Sequence, residues 1–378
     1  MRIYKIFLLA FISFSFLACN STKDFTDEDY LSFIENILKD IYQGNGILLN
    51  ESIDYDVFIS HIQGEDKEFK QKELLEFLQN NFKPGDNMAA LIEDGADIRF
   101  IRLYREKGEV HAIFRTYYNG SISVEDWEFG QQKGEIKIND AFSIVSGVYW
   151  SDDWRMKASN KMNIVNDNTI LINQLMDINY MIAQREYQHA DSAFYWIEQA
   201  CIHNLYGRTM QLNLASLYKD YEEVTQMTKD FLKEFPAQKQ ISEFYLLQSA
   251  ISHGLIEKTI EHADYLNVNL GSDPVYFVYL SWVYQQANQH EKTQQYLDSA
   301  IFYMPQVYDF YHNKLDIYYE DKQYTDFVKQ LYVIDQFFAP TEEDIPFFEK
   351  TYPEAATTKE FKEWKEAHIQ PSLSITTH

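Results

Sequence analysis

Apolar residues near the start of the chain recur every three or four positions. Tyr30, Phe33, Ile34, Ile37, Leu38 and Ile41 share one helical face, with Thr26 or Asp27 as a cap and Gly44 as a stop. A short helix is expected around 55–62. Another is expected over 67–82, where Phe69, Leu74, Phe77, Leu78 and Phe82 are apolar and Pro84-Gly85 ends the run. The period then shortens. Segments 98–105, 110–118 and 121–129 are rich in β-branched and aromatic residues, and a further strand or bent strand pair is expected over 135–150. Lys107-Gly108 and Asn119-Gly120 separate the first three segments. Asn-Gly between such runs predicts a tight hairpin, because both residues accept positive φ.

From 170 to 338 the helical period returns and no hairpin signal appears. Ten of the 13 glycines lie at or before Gly147, as expected if turns of a sheet give way to packed helices. Phe235-Pro236, Met304-Pro305 and Ala339-Pro340 fall 69 and 35 residues apart; Tyr218, Tyr284 and Tyr318 fall 66 and 34 apart. The clearest unit spans 274–307, with Phe277, Leu280, Ser281 and Tyr284 in its first helix and Leu297, Ala300 and Pro305 in its second. A unit over 308–341 carries Tyr311, Tyr318, Tyr324, Phe327, Leu331 and Ile334. Three earlier units are marked by Met181, Tyr187, Ala190, Phe194 and Ile197; by Leu214-Ala215, Tyr218, Tyr221 and Pro236; and by Ala250, Gly254, Ile256 and Ala263. A period near 34 and this residue pattern resemble the tetratricopeptide repeat, although Thr293 stands where that family has a small alanine. Each unit leaves an apolar face for its neighbour, so the last needs a cap. Residues 355–368, with Phe361 and Trp364 on one face, are read as that cap, followed by a tail from Pro371.

The order of helices followed by an antiparallel meander, with Trp127-Glu128-Phe129 and a closing Ser146-Gly147-Val148-Tyr149-Trp150, resembles the cone-shaped nuclear-transport-factor-like fold over 27–155. The expected fold class is therefore multidomain: an α+β part of helices plus a curved antiparallel sheet, then an all-α tetratricopeptide-like solenoid over 165–341. A capping helix and tail follow over 342–378. The polar stretch 152–167 is expected to be the protease-sensitive boundary between two separately folding parts.

The first residues carry a different signal. Arg2 and Lys5 precede an apolar run over 6–18, too short to span a bilayer as a helix but of secretory-signal length. The run ends in Leu17-Ala18-Cys19, which resembles the bacterial lipobox, with Phe16 where that family has Leu. The resemblance implies a signal peptide over 1–18, acylation of Cys19 and a lipidated tether over 19–26. Asn20 in place of Asp points to the outer membrane. The alternative is a conventional secreted protein with an incidental cysteine.

Charge narrows the function classes. With 58 acidic against 33 basic residues the net charge is -25, the opposite of a nucleic-acid binder's footprint. An anchored body would touch its membrane through lipid alone. If Cys19 is acylated, Cys201 has no disulfide partner and reads as a small buried residue. No phosphate loop, Gly-x-Ser-x-Gly elbow, HExxH or calcium loop occurs, so no cofactor, metal or catalytic set is expected. Counting outward from the two turns places Arg102, Tyr104, His111, Arg115, Asp126 and Glu128 on one face of the meander. His111 should lie opposite Glu128, and Arg115 diagonal to Asp126. This set reads either as a ladder of ion pairs facing water or as the lining of a concave site.

Three functions remain compatible: an anchored non-catalytic scaffold that binds a protein or peptide, a lipoprotein that captures a glycan or peptide for uptake, and an enzyme using the sheet's concave face. For the first, the repeat resemblance implies that Trp282, Gln285, Gln286, His312, Asp316, Tyr319 and Glu320 line the partner groove, with Val278, Lys219 and Gln248 as further candidates. Large amphipathic rings make Trp282 and Tyr319 the expected hot spots.

Overall fold

A computed structural model describes residues 25–63, 69–164, 167–338 and 344–369, and among these residues five helices come first. They are α1 (Asp27–Tyr42), α2 (Ile47–Glu51), α3 (Tyr55–Gln63), α4 (Gln71–Asn81) and α5 (Pro84–Glu93). Helix α1 starts as its pattern predicts. The Thr26 hydroxyl accepts from the Asp29 N–H at 3.3 Å and the Asp29 carboxylate accepts from the Thr26 N–H at 2.8 Å, a reciprocal cap. Pro84, expected only to end a helix, occupies the first turn of α5 as well, where its missing N–H leaves nothing unpaired. The expected Cys19 anchor and the Pro340 repeat marker lie outside the described residues.

A single antiparallel sheet follows in the order β1-β2-β3-β4-β5: β1 (Asp97–Glu106), β2 (Glu109–Tyr118), β3 (Ser121–Gln132), β4 (Glu135–Ser143) and β5 (Val148–Tyr149). Both expected hairpins form. Lys107 and Gly108 have φ of 51° and 96°, and Asn119 and Gly120 have 48° and 70°, the left-handed pairs such two-residue turns need. Lys133-Gly134 makes a third turn of the same kind, at 54° and 80°.

Strand β2 alternates between two buried faces. Val110, Ala112 and Phe114 point to the opening helices, with Trp127, Phe129, Ile138 and Ala141 from the neighbouring strands. Ile113, Arg115 and Tyr117 point the other way, into the later helices. The sheet is thus the middle of three layers.

Helix α6 (Trp150–Met162) occupies much of the stretch expected to be a linker. It packs on α3 and β4. Arg155 donates from Nε and Nη2 to the Ile62 and His61 carbonyls at 2.5 and 2.7 Å. Asp140 accepts from the Ser151 hydroxyl at 2.5 Å and the Ser151 N–H at 3.1 Å. The helix ends at Asn163 in the left-handed conformation. The 155 boundary therefore falls inside a helix that belongs to the first layer.

Ten further helices form five consecutive pairs: α7 (Asp167–Ala183) with α8 (Tyr187–Cys201), α9 (Leu205–Tyr218) with α10 (Tyr221–Glu234), α11 (Lys239–Ser252) with α12 (Ile256–Leu270), α13 (Val275–Gln286) with α14 (His290–Tyr303), and α15 (Tyr308–Glu320) with α16 (Tyr324–Phe338). From α9 onward the pairs start 34, 36 and 33 residues apart. Helices α9, α11 and α13 also lie side by side. Three further helices come last among the described residues: α17 (Asp344–Thr351), α18 (Pro353–Ala356) and α19 (Lys359–Ile369). Phe361 and Trp364 of α19 are buried against α15 and α16, together with Phe348 and Tyr352. Among the described residues no helix is long and apolar enough to cross a membrane.

The sheet's second face lies against the inner helices of this array. Ile113, Val124 and Ile144 pack on Leu212, Phe231, Ile241 and Tyr245. Tyr117 packs with Leu247, Val278 and Tyr279. The Tyr245 hydroxyl donates to the Val145 carbonyl at 2.5 Å. Gly271, at φ 98°, closes α12 so near β1 that a Cβ there would stand 2.4 Å from the Ile101 side chain. At the centre Arg115 is 1 % exposed. Its Nε and Nη2 donate to the two Asp273 oxygens at 3.0 and 3.1 Å, and its Nη1 donates to Asp97. The sheet and the array therefore share one buried interface.

Candidate functional site

Two adjoining clefts open where the tip of the β2–β3 hairpin meets the inner face of α11, α13 and α15. The first, of about 410 Å³, is walled mainly by Ile122, Val145, Phe244, Leu247, Ile251 and Tyr279, with Gln248 and Ser252 at its polar side. The second, of about 510 Å³, is lined by Tyr117, Asn119, Gln285, Asp309, His312 and Asn313. Trp282 and Gly120 belong to both walls. The Trp282 ring is half-buried, set edge-on to Tyr279 with centroids 6.0 Å apart. Helical spacing brings these groups together: Gln248 and Ile251 on α11, and Tyr279, Trp282 and Gln285 on α13, lie three or four positions apart along one face.

The expected groove residues divide into three groups. Trp282, Gln285 and His312 line the clefts, as does Gln248. Asp316 and Tyr319 are engaged by the chain itself. The Tyr352 hydroxyl donates to Asp316 at 2.6 Å and stands 3.1 Å from His312 Nε2, and the Tyr319 and Tyr352 rings meet edge-on at 5.2 Å. Gln286 is exposed outside either cleft, and Glu320 approaches His290 Nε2 at 3.5 Å. Val278, expected to face the groove, is fully buried with Tyr117, because the sheet covers that part of the inner face. Lys219, at the junction of α9 and α10, pairs with Glu223 at 2.6 Å.

Sequence reasoning missed Asn119, Gly120 and Asp309 as site residues. Asn119-Gly120 carried a turn signal and nothing more. Asp309 stands in the first turn of α15, a position a helix dipole favours for an acid regardless of function.

A separate cleft of about 520 Å³ lies farther along the same sheet face. Arg102, Tyr104, His111, Asp126 and Glu128 line it, together with Asp140, Tyr149, Ala237, Gln238 and Gln240. Five of the six residues of the expected cluster therefore meet, and Arg115 does not: it is drawn into the interface by Asp97 and Asp273. The expected register holds, but the side-chain contacts differ from it. His111 lies opposite Glu128 in the strand register, yet its ring bonds Asp126 at 3.3 Å while Glu128 accepts from Asn139 at 2.9 Å. Asp126 also accepts from the Tyr104 hydroxyl.

Hydrogen bonding to Asp126, opposed by burial, raises the His111 pKa above its ordinary 6.5. Burial, then the Asp126 contact, pushes the Tyr104 phenol upward. Because the folded-state pKa of His111 is raised, its stabilising contribution is complete below about pH 6.5 and fades as pH climbs through the raised value. The expected result is that His111→Gln destabilises the chain more at pH ~5.5 than at pH ~8.5 in urea unfolding. A loss independent of pH would show that the protonated ring contributes nothing. The Tyr104–Asp126–His111 chain can hold or pass a proton. Among the described residues no group of three or more His, Cys, Asp and Glu side chains could hold a metal ion.

No protein-family profile, curated protein or solved structure matches the chain.

Proposed function

We propose that this chain is a non-catalytic binding protein of the cell envelope, lipid-anchored through Cys19, which holds a protein or peptide segment at the Trp282 clefts. In this reading the paired helices form a tetratricopeptide-like solenoid and the first part is a cone-like α+β module. That module fills most of the solenoid's inner face and leaves an opening beside the β2–β3 turn. One observation carries the reading: Trp282 is a half-buried indole in the wall shared by two adjoining clefts of about 410 and 510 Å³. Both volumes lie in the range of ligand sites, and partly exposed aromatic anchors at such places dominate binding energy. An enzyme working in the third cleft is the second reading. The His111–Asp126 contact favours it, but no serine, threonine or cysteine lines that cleft to act as a nucleophile beside the pair.

The test compares wild type with Trp282→Ala, Tyr319→Ala and Cys19→Ala in membrane fractionation, thermal melting and quantitative pull-down from native envelopes. Trp282→Ala should weaken capture by about 2 kcal/mol or more with little change in melting. Tyr319→Ala should lower the melting temperature instead, since its ring packs on Tyr324, Phe327 and Tyr352. Cys19→Ala should appear in the soluble fraction. A folded Trp282→Ala protein that captures the wild-type partners removes the cleft reading, and unchanged fractionation of Cys19→Ala removes the anchor.

A further inference from the structure

The two compartments that meet at Trp282 differ in chemistry. The first presents Ile122, Val145, Phe244, Leu247, Ile251 and Tyr279, so it suits a branched or aromatic side chain. The second presents the amides of Asn119, Gln285 and Asn313 beside the carboxylate of Asp309. Neither lining includes a lysine or arginine, so Asp309 is the only lining side chain of fixed charge. Its Oδ2 receives a long hydrogen bond from the Tyr117 hydroxyl at 3.4 Å. The side chain is half-buried, and no hydrogen bond or ion pair is made by its Oδ1 among the described residues.

We infer that the occupant is an extended peptide segment in which an apolar side chain is followed by a basic one. The inference rests on the binding reading above and names its ligand class. The apolar side chain enters the first compartment. The following lysine or arginine turns past Trp282 toward Asp309. Charge complementarity selects the basic residue: a half-buried carboxylate in a wall without cations repels an acid, and the chain's net charge of -25 adds to that field. The amides of Gln248, Gln285, Asn119 and Asn313 offer both donors and acceptors, as a peptide backbone between the two side chains requires. A sugar fits less well. Most of its hydroxyls would lose water against the apolar wall of the first compartment, where the polar side-chain groups are those of Ser121, Gln248, Ser252, Tyr279 and Trp282.

The experiment titrates the full-length chain in detergent micelles with blocked tetrapeptides: acetyl-Ala-Leu-Lys-Ala-amide, its Leu-Gln and Leu-Glu counterparts, and acetyl-Ala-Ala-Lys-Ala-amide. Cellotetraose is titrated alongside. The Leu-Lys peptide should bind about tenfold tighter than Leu-Glu, the gain of one charge-assisted hydrogen bond. Added salt should shrink that ratio. Asp309→Asn should bring it near one without unfolding a half-buried helix-start position. Ser121→Trp, which fills the cleft from an exposed strand end, should weaken every peptide. If Leu-Lys, Leu-Gln and Leu-Glu bind alike and Ser121→Trp weakens all three, the basic preference is wrong while the cleft reading stands. If Ala-Lys binds as well as Leu-Lys, the apolar compartment is not used and the inference falls. Binding of cellotetraose without the peptides makes the occupant a glycan. Binding of none of the probes overturns both the inference and the proposed binding site.

Discussion

Arg115→Ala is expected to destabilise the chain by about 3–5 kcal/mol, the usual loss when one partner of a buried charge network is removed. The guanidinium is 1 % exposed and sits between Asp97 of β1 and Asp273 in the α12–α13 connection. Asp97 keeps donors when Arg115 is lost, since Arg99 Nε donates to it at 2.9 Å and the Gln306 amide also reaches it. Asp273 keeps the Val275 N–H at 2.8 Å but loses both arginine donors, and its charge stays largely out of water. The damage is therefore directed at the contact between sheet and helical array. Urea unfolding measures it, and limited proteolysis locates it. The wild-type chain should resist cleavage over 150–162, where α6 is packed on α3 and β4, and the variant should be cut between sheet and array. Arg115→Met combined with Asp273→Asn should recover most of the loss, because Asp97 keeps Arg99 and no buried carboxylate is then left without a cation. A single-variant loss below about 1 kcal/mol would mean that water reaches the network and that the halves are held by apolar packing alone.

Much of this fold is legible in the chain for local reasons. Two positive-φ residues between β-rich runs fix the hairpins, and apolar residues three and four apart fix most helices. The misses have local causes as well. Helix α2 has five residues, too few to show a period, and α5 begins with Pro84-Gly85, which reads as a stop. Strand β2 carried a message open to a wrong reading. Its near-continuous burial from Val110 to Tyr117 is the pattern of a strand covered on both faces. In the sequence, His111 and Arg115 break the apolar run and suggest a polar face toward water. Arg115 is instead paid for, in charge terms, by Asp273, 158 residues later, a partner no local pattern reveals. The candidate site divides along the same line. Trp282, Gln285 and His312 are expected from the resemblance to the tetratricopeptide repeat. The loss of Asp316 and Tyr319 to Tyr352 depends on how the last helices fold back, and the wall formed by Asn119, Gly120 and Asp309 depends on the sheet entering the array.

Trp364→Ala is expected to remove about 3–5 kcal/mol, the range for deleting a fully buried tryptophan. Its indole is 0 % exposed, lies edge-on to Phe348 with centroids 5.8 Å apart and meets Phe361 at 5.2 Å. The ring nitrogen donates to Asp335 of α16 at 2.8 Å, so the substitution leaves a cavity and takes one donor from a carboxylate. Position adds to the effect. Helix α19 covers α16, the last paired helix, and a stack of helical pairs needs its final apolar face covered. The same cluster holds Tyr352, whose hydroxyl fixes Asp316 and stands beside His312 on the wall of the second cleft. Loosening the cap should therefore also weaken ligand capture at Trp282, although Trp364 touches neither cleft. Trp364→Phe, which keeps a ring but not the donor, should recover more than half of the lost stability and all of the capture. Equilibrium unfolding in urea and capture on the same preparations separate the two effects. If Trp364→Ala unfolds within about 1 kcal/mol of wild type, α19 is not the cover that holds the array's end.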